Sequence, residues 1–222
     1  MSLNLRKLTS AVADGARLLG RGLLDAIYPP RCLGCGTRPE SPQLPLCPRC
    51  LQSLERAPEM GVAARLDRLP AGGGVFAGAT ALWVFDEGGT LQAVQHALKY
   101  RNRPRYGVPL GRLMGEAFAE RYPCPDGIVP VPLHRTRALG CASRPDLLSR
   151  PRATRSQTGL SREERWRNVR DSFAADPDCA EGRWLVVDDV LTTGSTAVAA
   201  GQTLAAAGAE KLYLMTLGLA RQ

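Results

Sequence analysis

The segment from residue 184 to residue 196 constrains the fold more than any other part of this sequence. It begins with four apolar residues, Trp184-Leu-Val-Val187, which predict a buried strand, and continues with Asp188 and Asp189. A short loop, Thr192-Thr-Gly-Ser-Thr196, then leads into an Ala-rich stretch that predicts a helix. Because ligands bind at the carboxyl ends of strands in open parallel sheets, the segment predicts an α/β fold with a site at this edge.

The residue types in this segment suit a phosphorylated sugar. The two carboxylates can accept hydrogen bonds from sugar hydroxyls or bind a divalent cation, and the hydroxyls and N–H groups before the helix suit an anion. An ordinary N-cap is the alternative, in which Thr and Ser only satisfy the first amides of the helix. A cap accounts for one or two hydroxyls, but not for four beside an acid pair. The pattern favours a ribose 5-phosphate pocket made of Asp188, Asp189, Thr192, Thr193, Gly194, Ser195 and Thr196.

Apolar runs elsewhere in the chain alternate between strand-like and helix-like spacing. Strands are predicted near 75–85, 128–133 and 211–219, helices near 91–100, 110–121 and 196–208, and turns over 58–74. This alternation indicates a parallel sheet with crossover helices. The two prolines in Ile128-Val-Pro-Val-Pro-Leu133 place that strand near a sheet edge or a loop mouth.

Four of the seven cysteines form two Cys-x-x-Cys pairs with eleven residues between them. They are Cys32, Cys35, Cys47 and Cys50, and this spacing is typical of a tetrahedral zinc site. Two disulfides are the alternative, but the chain shows no export signal, and a reducing compartment disfavours them. Four thiolates close the coordination sphere, so we expect a structural Zn²⁺ ion. The sequence thus predicts an N-terminal helix and zinc ribbon over 1–58 and an α/β domain over 75–222.

The positive charge of the chain is concentrated in one region. The net charge is +8, whereas residues 101–170 alone hold fifteen Arg and six acidic residues, a net of +9. Arginine suits phosphate groups because its planar fork offers paired donors. A solvated basic face is the alternative, and the charge does not distinguish a small phosphate ligand from a nucleic acid.

No stretch of the sequence is apolar enough to predict a transmembrane helix. From Leu3 to Ile27 the apolar residues recur at helical spacing among charges of both signs, which predicts an amphipathic helix rather than a signal peptide. A packing helix is the simpler use, and a helix that binds a membrane surface or a partner is the alternative. We therefore expect a cytoplasmic protein without a membrane span.

The motifs of this chain, taken together, resemble one known family. The run Val186-Val-Asp-Asp-Val-Leu-Thr-Thr-Gly-Ser-Thr196 resembles the signature with which type I phosphoribosyltransferases bind phosphoribosyl pyrophosphate (PRPP). The order of the other motifs is similar to that of the competence protein F (ComF) family, over nearly all of the chain after about residue 22. These motifs are Tyr-Pro-Pro-Arg-Cys-Leu-Gly-Cys-Gly at 28–36, the second cysteine pair, Leu98-Lys-Tyr-Arg101, Val129-Pro-Val-Pro-Leu-His134, Gln157-Thr-Gly-Leu-Ser161 and Arg165-x-x-Asn168-Val.

The resemblance implies a type I phosphoribosyltransferase-like parallel sheet flanked by helices, and it implies a role for each motif. Asp188 and Asp189 would be the catalytic acids that bind the ribose hydroxyls, and residues 192–196 would hold the 5-phosphate. The pyrophosphate, with Mg²⁺, would meet His134, Arg135 and Arg137. A mobile loop would close over PRPP with Arg155, Gln157, Arg165 and Asn168. Lys99 is a further candidate for the site.

The function that the resemblance implies is phosphoribosyl transfer in natural transformation, the uptake of DNA by cells. A non-catalytic module that binds single-stranded DNA or a competence helicase is one alternative, and a PRPP sensor is another. None of the motifs identifies the acceptor of the phosphoribosyl group, and no side chain is an obvious general base.

The sequence departs from the ComF pattern after Leu133. An Arg-Gly-Phe-Asn-Gln-type stretch is missing there. Too few residues separate the strand at Ile128 from the next predicted strand, around Leu147, for a parallel crossover with a helix. A natural deletion, an altered sequence or a wrongly assigned strand would each account for this. The chain is thus expected to have a truncated βαβ unit and to bind PRPP better than it turns it over.

Overall fold

The computed structural model describes residues 31–39, 44–69, 72–100, 106–132, 144–151, 169 and 171–221. The predicted amphipathic helix at 3–27 lies outside these residues. So do the residues assigned to the pyrophosphate and to the mobile loop, namely His134, Arg135, Arg137, Arg155, Gln157, Arg165 and Asn168. Among the described residues, none of the helices combines the length and the apolar character that crossing a membrane requires.

Strands and helices alternate along most of the described chain. The order is α1 (Pro48–Gln52), α2 (Gly61–Leu66), β1 (Gly78–Phe85), α3 (Thr90–Tyr100), α4 (Gly107–Ala119), β2 (Gly127–Pro130), β3 (Leu148–Ser149), β4 (Ala174–Ala175), β5 (Arg183–Leu191), α5 (Ser195–Ala206) and β6 (Lys211–Ala220). The predicted helices near 91–100, 110–121 and 196–208 are confirmed, and so are the predicted strands near 75–85, 128–133 and 211–219.

Four of the strands form one parallel sheet in the order β1-β6-β5-β2. The mixed α/β architecture with a parallel sheet, predicted from the alternation of elements, is therefore confirmed. The central strands β5 and β6 are covered on both faces, which is why their sequences are nearly continuous apolar runs. Strand β2 lies at one edge of the described sheet, in agreement with its prolines.

Apolar side chains pack on the two faces of the sheet in two separate layers. One layer packs α2 and α5 against the sheet and includes Leu66 and Val198. The other packs α3 and α4 against the opposite face and includes Val94 and Leu110. Because successive residues of a strand point to opposite faces, each strand sends alternate side chains toward α5 and toward α3. This alternation decides where the acids of β5 point.

The cysteine-rich segment packs along the outer edge of β1. The backbone N–H of Val84 donates to the carbonyl of Glu55 at 2.8 Å, and that of Ala57 donates to the carbonyl of Leu82 at 3.3 Å. Residues 55–57 therefore run antiparallel beside β1 and satisfy backbone groups that an edge strand would expose. Two residues of the segment, Cys32 and Leu46, are buried in the apolar layer of α3 and α4.

Two of the sequence-based assignments are wrong. The turns predicted over 58–74 include the helix α2, which is too short to show a helical period and is stabilised mainly by packing. The strand near Leu147 does not belong to the parallel sheet, because β3 pairs antiparallel with β4 in a separate two-stranded sheet. No parallel crossover is required between β2 and β3, so the inferred truncation of a βαβ unit does not follow.

Candidate functional site

The sequence predicts that the two acids follow the end of the strand, but both lie inside β5. The strand continues to Leu191, and Asp188 stands opposite Thr216 of β6 in the parallel register. The strand is longer because Val190 and Leu191 pack into the two apolar layers of the sheet. The carboxyl groups are therefore held on a rigid central strand rather than on a loop.

Asp188 and Asp189 have different surroundings. Asp188 lines a small, open concavity together with residues 190–197. Asp189 is instead bound to α3, where Lys99 forms an ion pair with its Oδ2 atom and Gln95 donates a hydrogen bond to the same atom. The side chains of Lys99 and Asp189 are only 25% and 26% exposed, so solvent screens their attraction in part. Lys99, a further candidate in the sequence, thus contacts the acid pair.

The different surroundings of the two carboxyl groups separate their pKa values. Burial, the charge of Asp189 and a hydrogen bond between the two side chains raise the pKa of Asp188 well above its usual range. Burial alone would also raise the pKa of Asp189, but Lys99 and the hydrogen bond from Gln95 lower it below its usual value. The surroundings therefore favour the charged form of Asp189 and disfavour that of Asp188.

Replacement of Lys99 by Met is expected to raise the pKa of Asp189, because the ammonium that favours its charged form is removed. In the wild-type protein, the stability from this ion pair is present above the ordinary carboxyl pKa. It is lost as the pH falls through the lowered pKa of Asp189, and in Lys99→Met the same protonation occurs at higher pH.

An NMR titration of the Asp side-chain carbons measures the shift in the pKa of Asp189. Lys211→Met is the matched control, since Lys211 is exposed at the opposite end of the sheet. Identical titration curves for Lys99→Met and the wild-type protein would contradict the assignment.

The loop that follows β5 presents backbone N–H groups at the start of α5. Gly194 has a φ of +89°, in the left-handed region, and α5 begins at the next residue. The hydroxyl oxygen of Thr193 lies 3.1 Å from that of Ser195 and accepts the Ser195 N–H at 3.4 Å. Within the described part of the chain, the N–H groups of Thr193 and Gly194 make no hydrogen bond. They lie at the positive end of the α5 dipole, where an anion is favoured.

The structure brings the predicted phosphate loop and one of the predicted acids together. Asp188 and residues 192–196 line the same concavity. A carboxyl group beside an anion-binding loop can hold a small molecule that carries both a hydroxyl and a phosphate. The residues predicted to meet the pyrophosphate and to form the mobile loop lie outside the described residues, and their roles stay predictions.

Arg150 is a charged neighbour of the site that the sequence did not single out. It directly follows β3, and its guanidinium carbon lies 5.3 Å from the ring centroid of Phe173. Burial lowers the pKa of Arg150, and the charge of Asp188 opposes that shift, so the two groups lie within electrostatic range. The antiparallel pair of β3 and β4 thus brings a cation toward Asp188.

The four predicted zinc ligands converge on one point. The Sγ atoms of Cys32, Cys35, Cys47 and Cys50 all lie within 4.8 Å of one another. Those of Cys35 and Cys47 are 3.7 Å apart. A tetrahedral Zn²⁺ ion with Zn–S bonds of about 2.3 Å places its sulfurs about 3.8 Å apart, so this donor set fits the ion. The cluster supports the structural zinc site that the spacing predicts.

Local hydrogen bonds prepare this cluster for a metal. The Cys47 N–H donates to Cys32 Sγ at 3.3 Å, and a Cβ at Gly34 would lie only 2.9 Å from Cys50 Sγ. Hydrogen bonding to Thr37 lowers the pKa of Cys35 to about 6. Burial and the neighbouring thiols raise the pKa of Cys50 to about 12. One thiolate therefore forms readily, whereas complete deprotonation requires a cation at the centre of the cluster.

Comparison with known proteins identifies relatives for both parts of the chain. The double zinc ribbon domain family matches residues 23–60, a range whose only cysteines are the four of this cluster. The DNA utilization protein YhgH of Salmonella typhi is 30% identical over 209 residues, which cover 84% of this chain and 82% of that protein. YhgH of Salmonella typhimurium strain LT2 is 29% identical with the same coverage. YhgH of Escherichia coli strain K12 is 30% identical over 157 residues, which cover 60% of this chain and 69% of that protein. The chain therefore belongs to the family of the DNA utilization protein YhgH, which is a member of the ComF family that its motifs resemble.

Proposed function

We propose that this protein binds PRPP with Mg²⁺ and transfers its phosphoribosyl group, and that it acts in the uptake and use of DNA. One observation carries the proposal: Asp188 and the phosphate-binding loop at 192–196 line a single concavity. The resemblance of this segment to the PRPP signature of type I phosphoribosyltransferases supports it. The name of the relatives, DNA utilization protein, supports the biological setting.

In this proposal the loop binds the 5-phosphate. The N–H groups of Thr193 and Gly194 and the hydroxyls of Thr193 and Ser195 surround the start of α5. Backbone donors at a helix start bind a phosphate without a full counter-charge, because the helix dipole adds to their field. The positive φ of Gly194 turns the chain sharply enough for consecutive N–H groups to face one ligand.

The acid pair binds the ribose hydroxyls. Two neighbouring carboxyl groups can accept hydrogen bonds from vicinal hydroxyls, and Asp188, which lines the concavity, is placed to make the first of these contacts. The pair also fits Mg²⁺, since a divalent cation beside it offsets the burial and the repulsion that raise the pKa of Asp188. When bound with PRPP, Mg²⁺ supplies neutralisation of the pyrophosphate charge.

The proposed reaction is a displacement at ribose C1. A nucleophilic atom of the acceptor forms a bond to C1 while the bond from C1 to the pyrophosphate oxygen breaks, and pyrophosphate leaves with the electron pair. The ring gains positive character in this step, and the negative charge of the acid pair near the ribose stabilises it. The chain contributes orientation and electrostatic stabilisation more than acid–base chemistry.

The double substitution Asp188→Asn with Asp189→Asn is expected to weaken binding of ribose 5-phosphate by about 100-fold or more, because the negative charge of the acid pair is lost and neutral amides replace its hydrogen-bond acceptors. Isothermal titration with ribose 5-phosphate, and with PRPP plus Mg²⁺, measures the loss. Glu87→Gln with Glu116→Gln is the matched control, since both acids are exposed and outside the concavity. Wild-type protein that binds neither ligand, or an Asn pair that binds as the wild type does, would refute the ribose site.

The name of the relatives and the cysteine cluster bear on where the protein works. A zinc site of four thiolates needs its cysteines reduced, which fits the cytoplasm. We therefore propose a cytoplasmic protein with an N-terminal zinc ribbon over 1–58 and a phosphoribosyltransferase-like domain over 75–222. A screen of nucleobases and nucleosides for release of pyrophosphate from PRPP tests for turnover and identifies the acceptor.

A module that binds single-stranded DNA or a competence helicase is the second candidate, and exposed arginines of the ribbon favour it. Arg31, Arg38 and Arg49 all lie exposed around the cysteine cluster. Phosphate contacts of this kind give an affinity that falls steeply with salt. A steep salt dependence of DNA binding without release of pyrophosphate would favour this candidate. PRPP binding without turnover or DNA binding would favour a PRPP sensor.

A further inference from the structure

The side chain of Arg65 connects α2 to the carboxyl ends of the two central strands. It donates to the carbonyl of Thr192, the first residue after β5, at 2.5 Å, and to the carbonyl of Ala220, the last residue of β6, at 2.7 Å. The residue is only 9% exposed. A buried guanidinium is costly unless its donors are satisfied, and these two carbonyl groups satisfy donors on both of its terminal nitrogens.

Two further residues of the same segment pack against the loop. A Cβ added to Gly194 would lie 2.9 Å from Leu66 Cδ2 and 3.3 Å from Leu69 Cδ1. Leu66 and Leu69 are themselves buried in the apolar layer of α5. The stretch 65–69 thus contacts the loop at Thr192 through hydrogen bonding and at Gly194 through packing.

The bond to Thr192 determines the direction of the next N–H group. In a trans peptide the C=O and N–H groups point in opposite directions. Because Arg65 holds the carbonyl of Thr192 toward α2, the N–H of Thr193 points away from α2. A loop whose donors are already oriented binds an anion more tightly than one that must order on binding.

We infer that Arg65 is a positioning residue for the 5-phosphate loop, which fixes the Thr192–Thr193 peptide before the ligand binds. This inference rests on the proposed function, since it assumes that the loop at 192–196 holds the phosphate of ribose 5-phosphate. Arg65 does not touch the ligand. Its guanidinium acts through backbone carbonyls and makes the segment between the zinc ribbon and the sheet part of the binding site.

The test compares three variants in titrations with ribose 5-phosphate. Arg65→Met removes the donors and keeps most of the side-chain volume. It is expected to weaken binding roughly 10-fold or more, because the charged hydrogen bond that holds the Thr192 carbonyl is lost. Arg65→Lys retains one charged donor and is expected to recover part of the affinity. Arg68→Met is the matched control, because Arg68 is exposed only three residues away and its loss removes the same charge. Magnesium pyrophosphate serves as a second ligand that does not use the 5-phosphate loop.

Zinc content and circular dichroism establish that each variant is folded. A selective loss for ribose 5-phosphate in Arg65→Met, with partial recovery in Arg65→Lys and wild-type affinity in Arg68→Met, supports the inference. Unchanged affinity in Arg65→Met, or an equal loss for pyrophosphate, overturns it. If Arg65→Met does not fold, Arg65→Lys decides the question. Wild-type affinity for ribose 5-phosphate in Arg65→Lys then overturns the inference, and a partial loss of that affinity supports it. Failure of the wild-type protein itself to bind ribose 5-phosphate would refute the proposed function, which distinguishes the two outcomes.

Discussion

A variant in which Cys35 and Cys50 are replaced by Ser is expected to lose its zinc and to unfold about 10 °C or more below the wild-type protein. The ion holds together a segment that has few apolar residues of its own, so its binding free energy contributes directly to folding. The segment also packs on the sheet. Residues 55–57 cover the edge of β1, and Cys32 and Leu46 share an apolar layer with Trp83, which is 2% exposed.

The measurement combines zinc stoichiometry by mass spectrometry with thermal unfolding and tryptophan fluorescence. Loss of the ribbon exposes Trp83, so a change in fluorescence should accompany the loss of zinc. Cys124→Ser is the matched control, because Cys124 is an exposed cysteine outside the cluster. One zinc per chain in the double variant, or an unchanged unfolding midpoint after zinc is lost, would contradict a structural role for the ion.

The parts of the site that are contiguous in the sequence could be predicted. The order of strand, acids, hydroxyl loop and helix is contained within residues 184–196, and the zinc ligands lie within nineteen residues at a recognisable spacing. Both depend on local geometry, which spacing reports directly. The helical face shared by Gln95 and Lys99 could also have been predicted, since residues four apart lie on the same side of a helix.

The parts of the site that depend on tertiary packing could not be predicted. Arg65 binds backbone carbonyls of residues more than a hundred positions away, and carbonyl groups have no sequence signal. The helix α2 has six residues, fewer than a period-based prediction requires. The pair of leucines at 147 and 148 predicts a strand, but its antiparallel partner is set by the fold of the whole segment.

Replacement of Gly194 by Ala is expected to abolish most of the affinity for ribose 5-phosphate, by about 100-fold, through loss of the loop geometry. The φ of +89° is strained for any residue with a Cβ, and this strain costs about 1–3 kcal/mol. The added Cβ would also lie 2.9 Å from Leu66 Cδ2, tighter than a van der Waals contact. A shift of the Leu66 side chain can relieve the contact but not the strained φ, which favours a shift of the loop and of the N–H groups before α5.

Gly115→Ala is the matched control for this substitution. Gly115 lies exposed within α4, and a Cβ there meets no atom within 4 Å. Ala is the better helix former, so this control is expected to keep its affinity and to gain up to about 1 kcal/mol of stability. Titration calorimetry measures the affinity and denaturant unfolding measures the stability of both variants. Affinity of Gly194→Ala within about twofold of the wild-type value would show that this loop does not bind the phosphate. If it did, the backbone strain and the close contact with Leu66 would shift its N–H groups and weaken binding.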